Sequence, residues 1–338
     1  MRVFVTGGTG LVGGSVVRQL QQRGMTVDAL VRNDAGTARI RASGATPVVG
    51  TVEDPRVWET LSGADGIIHI AALIAARTPW PTFFKINVEG TRLAAQAARR
   101  MGARLVHLSS VAVYGRQALD DAPGSRSEHS PLGPLEEHDY YARSKRLAEE
   151  AVRAEVALGL EAVLLRPCVI YGEDDRLFLP KLAAVARRGW IPTVGAGDRA
   201  MALVHADSVA DAAVRALTAP GAVNRIYNVT NDGEITAREF VQALAEGVGR
   251  TVRTVRVPEE AALTVARGVQ AVLRLIGPGL YPGTLTSAVS FWRGGNPYTS
   301  DRAHEELGWR PSVDHRAMIA AAVRRLGTLA ANSERAPR

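Results

Sequence analysis

The sequence predicts an α/β fold: a doubly wound parallel sheet followed by a smaller C-terminal lobe. Three observations carry this. Short β-branched runs alternate with amphipathic stretches through the first half; a glycine-rich turn, Thr6-Gly7-Gly8-Thr9-Gly10-Leu11-Val12-Gly13, joins the first run to the first amphipathic stretch; and the rhythm loosens after about Tyr171. The 338 residues, 46% hydrophobic and 22% charged, suffice for a large core and for about two domains.

In chain order the expected strands are Arg2 to Thr6, Val27 to Arg32, Thr46 to Val49, Gly66 to Ile70, Arg104 to Ser109 and Ala162 to Arg166. Between them apolar residues recur at helical spacing, as in Leu11, Val12, Val16, Val17 and Leu20, or Leu93, Ala94, Ala97 and Ala98. Val204 and the Ile226 to Val229 run read as two further short strands. Residues 116–137, rich in Asp, Pro, Gly and Ser, read as a long exposed loop. Helical patches follow near 177–188, 208–217, 236–247, 259–275 and 301–325. This gives a dinucleotide-binding domain over 1–170, its sheet completed by segments near 203–230, a substrate-binding lobe over 171–329, and a flexible tail over 330–338.

Composition excludes several classes. The net charge of +7 and pI near 10 would suit nucleic acid, but the charge is spread thinly: 38 arginines and three lysines are scattered along the chain, often beside Asp or Glu. No nucleic-acid partner is expected. No apolar run reaches the roughly 18 residues a membrane span needs, and no basic, apolar leader precedes the first strand, so a cytoplasmic location is expected. Cys168 is the single cysteine, and the seven histidines show no metal-ligand spacing, so no metal is expected.

The glycine turn carries the first chemistry. Placed between a strand and a helix, it lets backbone N–H groups and the positive helix end approach a pyrophosphate, and a side chain at Gly10 would block the ligand. A nucleoside-triphosphate loop is the rival, but its lysine position is occupied by Gly14. The second strand ends Leu30-Val31-Arg32-Asn33, where an acid would accept from a ribose hydroxyl and an arginine would pair a 2′-phosphate; Arg32 points to NADP over NAD.

A second pattern is Tyr141-Ala142-Arg143-Ser144-Lys145, which puts a phenol and an ammonium four residues apart on one helix face. A cation there is expected to lower the phenol's pKa so that it exchanges a proton with a carbinol or carbonyl oxygen. Lysine at that position is informative in a chain that otherwise uses arginine. The fifth strand ends Ser109-Ser110, placing hydroxyls at the strand ends where open α/β sheets bind ligands.

Taken together, these motifs resemble the extended short-chain dehydrogenase/reductase superfamily, in its NAD-dependent epimerase/dehydratase family and 3β-hydroxysteroid-dehydrogenase-like branch. The likeness extends through His69-Ile70-Ala71-Ala72, Asn87-Val88-Glu89-Gly90-Thr91, Ser109 to Gly115, Arg166 to Gly172, Leu203 to Ala212 and Glu306 to Pro311. It implies a Rossmann domain, Ser110, Tyr141 and Lys145 as the catalytic set, and cofactor contacts from Gly7, Thr9, Gly10, Leu11, Val12, Gly13, Arg32, His69, Ala71, Ala72, Asn87, Ser109, Tyr141, Lys145, Pro167, Val169 and Ile170. His69 and Ala71 would line the adenosine side, and Pro167 to Ile170 the nicotinamide. Thr51 stands where many relatives carry Asp near the adenine, and Ser208 replaces the second acid of a VDD-like motif. A homodimer through the helices near 85–101 and 140–157 is also implied.

The expected activity is hydride transfer between NAD(P) and a hydroxyl or ketone of an apolar, steroid- or terpenoid-like substrate. Trp80, Phe83, Phe178, Trp190, Met201, Phe291 and Trp292 are the candidate apolar cleft residues. The runner-up is a sugar-nucleotide epimerase or dehydratase, whose pyrophosphate Arg199 and Arg293 could pair. A non-catalytic NADP-sensing regulator would need the glycine turn but not the tyrosine pair.

Overall fold

A computed structural model describes residues 1–74, 78–115, 121–230, 232–276 and 285–335. Strands β1 (Arg2–Thr6), β2 (Thr26–Val31), β3 (Thr46–Val49), β4 (Gly66–His69), β5 (Arg104–Leu108), β6 (Ala162–Pro167) and β10 (Arg225–Val229) form a seven-stranded parallel sheet in the order β10-β6-β5-β4-β1-β2-β3. The chain winds outward from β1 to β3, then returns to the other side of β1, where Val3 pairs with Gly66 of β4. The crevice beyond this reversal is where such a sheet leaves room for a ligand.

Both faces of the central strands are buried, which is why β1, β4 and β6 are mostly apolar. On one face Val3, Val5, Val106 and Leu165 pack against α1 (Leu11–Gln22) and α8 (Ala206–Thr218). Asp207 ties these two helices by accepting from the Ser15 hydroxyl at 2.5 Å. On the other face Phe4, Ile67, Leu105 and Leu164 meet α5 (Gly90–Met101) and α6 (Tyr140–Val156). Ala94, Ala95, Ala97 and Ala98 of α5 have no exposed surface, so small side chains let that helix lie close on the strands.

The C-terminal lobe has its own core, built from α7 (Leu179–Ala186), α9 (Ala237–Val248) and α13 (His315–Arg335) around Phe240, Leu244, Ile319 and Val323. Two small parallel pairs accompany it: β7 (Val169–Tyr171) with β9 (Leu203–His205), and β8 (Trp190–Val194) with β11 (Arg253–Val257). Thus Val204 lies in a strand, but not in the main sheet. The 301–325 patch is two helices, α12 (Asp301–Glu306) and α13, separated where Trp309 inserts and donates to the Ser208 carbonyl at 2.8 Å. Helix α13 continues to Arg335, through most of the stretch expected as a tail; 336–338 lie outside the described residues.

The expected exposed loop over 116–137 needs correcting in its described part, 121–137. It contains no helix or strand, yet Arg126 is buried, its guanidinium held by Asp121 and the Pro131 carbonyl. Glu128 accepts from the Asn228 N–H at 2.7 Å. These polar anchors press a hydrophilic segment onto the end of β10; residues 116–120 lie outside the described set.

Candidate active site

The carboxyl ends of β1, β4, β5 and β6 open onto a cavity of about 900 Å³. The glycine turn forms one side. Gly7 has φ +74°, and a Cβ there would lie 2.9 Å from the Ala71 nitrogen; at Gly13 a Cβ would lie 2.0 Å from the Gly7 carbonyl oxygen. These two glycines let β1, α1 and the end of β4 come together. At Gly10 a Cβ would meet the Gly7 oxygen at 3.2 Å and no other described atom within 4 Å, because this residue faces the cavity. Gly10 caps α1 without a side chain, and Leu11, Val12 and Gly13, whose N–H groups precede the first intrahelical bonds, line the wall. A bare, dipole-positive helix end open to a cavity suits a diphosphate, so the residues present fit a dinucleotide. Arg32 lines the same cavity just beyond β2, beside Thr51, Val52 and Glu53, and has no ion-pair partner among the described residues.

The proton-transfer candidates converge deeper in the cavity. Asp139 caps α6 by accepting from the Ala142 N–H, which starts the helix so that Tyr141 lies in its first turn and Lys145 one turn on. Lys145 is buried and its Nζ donates to the Leu108 carbonyl at the end of β5, 2.6 Å away. Ser110 accepts from the Ala112 N–H at 3.1 Å and keeps its hydroxyl proton within hydrogen-bonding reach of Tyr141. Burial pushes the Tyr141 phenol above its ordinary value, with Ser110 working partly against that. The charge of Asp139 adds to the rise. Burial also lowers Lys145 to about 8, opposed by the charge of Glu149.

The model of the NAD dependent epimerase/dehydratase family matches residues 3–230. The chain belongs to this family. Among its relatives, the 4-hydroxy-2-methyl-3-oxo-4-farnesyl-3,4-dihydroquinoline-1-oxide ketoreductase of Stigmatella aurantiaca is 31% identical over 318 residues, covering 93% of each chain. A ceramide reductase of Caulobacter vibrioides is 33% identical over 272 residues, 80% of this chain and 77% of the relative. Among solved structures, the UDP-glucose 4-epimerase of Thermotoga maritima with UDP-glucose superposes with a TM-score of 0.75 at 19% identity, over 98% of this chain and all of that one, and so shares the fold. This member of the epimerase/dehydratase family is an NAD(P)-dependent enzyme of the extended short-chain dehydrogenase/reductase type.

Of the residues expected to contact the cofactor, two are not on the family member's cavity wall. His69 is fully buried behind it. The Thr6 hydroxyl oxygen accepts from the N–H groups of Ile70 and Ala71, so its own proton goes to His69 Nδ1 at 2.9 Å. Thr91 spends its proton on the Asn87 carbonyl, which leaves His69 Nε2 as the donor to Thr91. Burial pushes this neutral imidazole down to about 3, with the charge of Lys145 adding to the effect. Asn87 is the second; its side chain accepts from the Leu73 N–H at 2.7 Å and donates to the Leu73 carbonyl and the Ser144 hydroxyl. Both residues shape the wall from behind. The remaining members of the expected set, including Ala72, Ser109, Pro167, Val169 and Ile170, do line it.

The same cavity is also lined by Leu177, Phe178, Phe291, Pro297 and Tyr298, with the acids Asp174 and Asp175 just before them in the chain. Phe178 and Phe291 meet edge to face at 5.6 Å. The other apolar candidates lie elsewhere: Phe83 and Met201 are consumed in packing, Trp80 stacks under Arg143, Trp190 is exposed on β8, and Trp292 packs on Phe240. Arg199 and Arg293 are also off the wall, Arg293 pairing with Glu259 at 2.9 Å. Arg176 lines the cavity instead. Spacing alone does not put it, or Gly294, Gly295, Pro297 and Tyr298, on the wall, because nothing in the sequence links the 290s to a tyrosine more than a hundred residues earlier.

Proposed function

We propose that this enzyme reduces a ketone on an apolar, steroid- or terpenoid-like substrate, using NADP in preference to NAD, and runs the alcohol oxidation in reverse. The observation that carries the reading is one cavity lined both by a polar point, Ser110 with Tyr141 and Lys145, and by the apolar side chains of Leu177, Phe178, Phe291 and Pro297. The two relatives named above act on ketone or lipid substrates by their names. Arg176 takes the place of Arg199 and Arg293 as the cation on the wall, so the preference over a sugar nucleotide rests on the apolar lining.

A bound nicotinamide would supply or remove the hydride. The chain's own residues handle the oxygen. Ser110 donates a hydrogen bond to the carbonyl oxygen, Tyr141 passes its phenolic proton to that oxygen as negative charge develops, and Lys145 stabilises the phenolate left behind. A phenol raised by burial is protonated at neutral pH, which favours the reductive direction. Gly7 to Gly13 would hold the pyrophosphate and Arg32 the 2′-phosphate.

Following NADPH and NADH oxidation across ketosteroids, cyclic ketones, long-chain ketones and sugar nucleotides tests this. Turnover of the apolar ketones with NADPH is expected; redox-neutral conversion of a sugar nucleotide would overturn it. Arg32→Ala is expected to lower NADPH affinity about tenfold while sparing NADH; equal or better NADH binding by the wild type would remove the cofactor preference.

A further inference from the structure

We propose that Glu149 is a positioning residue for the reaction, clamping the serine-bearing end of β5 to the helix that carries Tyr141 and Lys145. The inference rests on the Ser110, Tyr141 and Lys145 reading and extends it to a carboxylate with no surface in the cavity.

Glu149 lies one helical turn beyond Lys145, which lies one turn beyond Tyr141, so all three share a face of α6. It is completely buried. A buried carboxylate demands partners, and this one has them from three directions. The Ser109 hydroxyl donates to Oε1 at 2.6 Å, tying down the residue next to Ser110. Arg166 of β6 forks onto both carboxylate oxygens at 2.8 and 2.7 Å, and Arg153 donates from α6 at 2.7 Å. Arg166 stands immediately before Pro167, the first residue of the wall expected along the nicotinamide. One carboxylate thus fixes the mutual register of the segments bearing Ser110, Tyr141 with Lys145, and Pro167.

The electrostatics point the same way. Burial alone would raise the Glu149 carboxyl, but the Arg166 guanidinium outweighs it and keeps the group ionised. Besides Tyr141 one turn before it, the titratable groups coupled to Lys145 are His69 of β4 and His107 of β5, both pushed far down and neutral, and Glu149 of its own helix. The Glu149 charge is therefore what opposes desolvation at Lys145.

The test is the pH dependence of kcat and KM for ketone reduction by wild type, Glu149→Gln, Glu149→Asp, Ser109→Ala and Tyr141→Phe. Loss of the Lys145 proton sets a basic limb, and removing the anion is expected to move that limb about one pH unit lower for Glu149→Gln. A fall in kcat of about 10- to 100-fold with little change in KM should accompany it, with partial recovery in Glu149→Asp. Ser109→Ala should lower kcat and leave the limb in place, since the charge remains. A wild-type limb and kcat in Glu149→Gln, whatever its melting temperature, overturns the proposal. If Glu149→Gln does not fold, wild-type kcat in Ser109→Ala does so. Full activity in Tyr141→Phe would instead strike at the underlying site assignment, a separate and visible failure.

Discussion

At the scale of single residues the account separates groups by what their atoms touch. Tyr141→Phe keeps the ring and removes the proton donor, so kcat should drop about 10²- to 10⁴-fold with no loss of thermal stability; near-wild-type turnover would exclude the phenol. Gly10 and Gly13 make a sharper pair. Gly10 has an ordinary extended backbone, φ −86° and ψ 179°, and faces the cavity, so Gly10→Val should fold normally and bind cofactor at least about tenfold more weakly, by fluorescence titration. Gly13→Ala would place a methyl 2.0 Å from the Gly7 oxygen and should cost at least about 2 kcal/mol of stability in urea unfolding. The sequence makes the tyrosine, lysine and glycines legible because their chemistry depends on local spacing. The Thr6–His69–Thr91 network is not legible, since its members come from three segments and only their hydrogen bonds show that His69 stands behind the wall.

Individual elements show a different limit. The buried strands of the main sheet announce themselves by continuous apolar runs, and so does α1. Strands β7, β8 and β11 do not: β7 is three residues long, β8 contains Pro192, and β11, Arg-Thr-Val-Arg-Val, is exposed along most of its length, so none has the signature of a core strand. The break between α12 and α13 does carry a signal, Gly308 at φ +59° followed by Pro311, which the helical spacing on either side masks. Where an element is shaped by one side chain, removing it should be costly. Asn87 holds both backbone groups of Leu73 from the π-helical turn Phe84–Glu89, so Asn87→Ala should destabilise by about 1–3 kcal/mol and raise KM for cofactor, as the 71–74 wall loosens. An unchanged unfolding curve would mean that wall is held by other contacts.

Across the whole molecule, buried histidines set the acid side of stability. His69, His107 and His205 are lowered by burial, so the unfolded chain takes up protons near pH 6.5 that the folded chain does not. Their contribution is complete above pH 6.5 and is lost as pH falls toward the folded values, at about 1.4 kcal/mol per histidine per pH unit. The urea midpoint should therefore fall steadily between pH 7 and 5. Neither ring nitrogen of His107 has a protein partner among the described residues, so His107→Leu should make that slope shallower; parallel slopes would count against it. Among the described residues no helix is long and apolar enough to cross a membrane. The expected homodimer through α5 and α6 is open to light scattering: the alanines of α5 are already spent on the sheet, so its outer face offers Arg92, Gln96 and Arg99 to a partner.

The claim at the centre is that hydride ends up on the substrate carbon while Tyr141 supplies the proton. Incubating the enzyme with an apolar ketone and NADPH carrying deuterium at both C4 positions of the nicotinamide measures this directly by mass spectrometry of the product. The account predicts an alcohol carrying one deuterium at the carbinol carbon, one NADPH oxidised per product, and loss of that product in Tyr141→Phe. Product formed without net cofactor oxidation, or without deuterium, would contradict it.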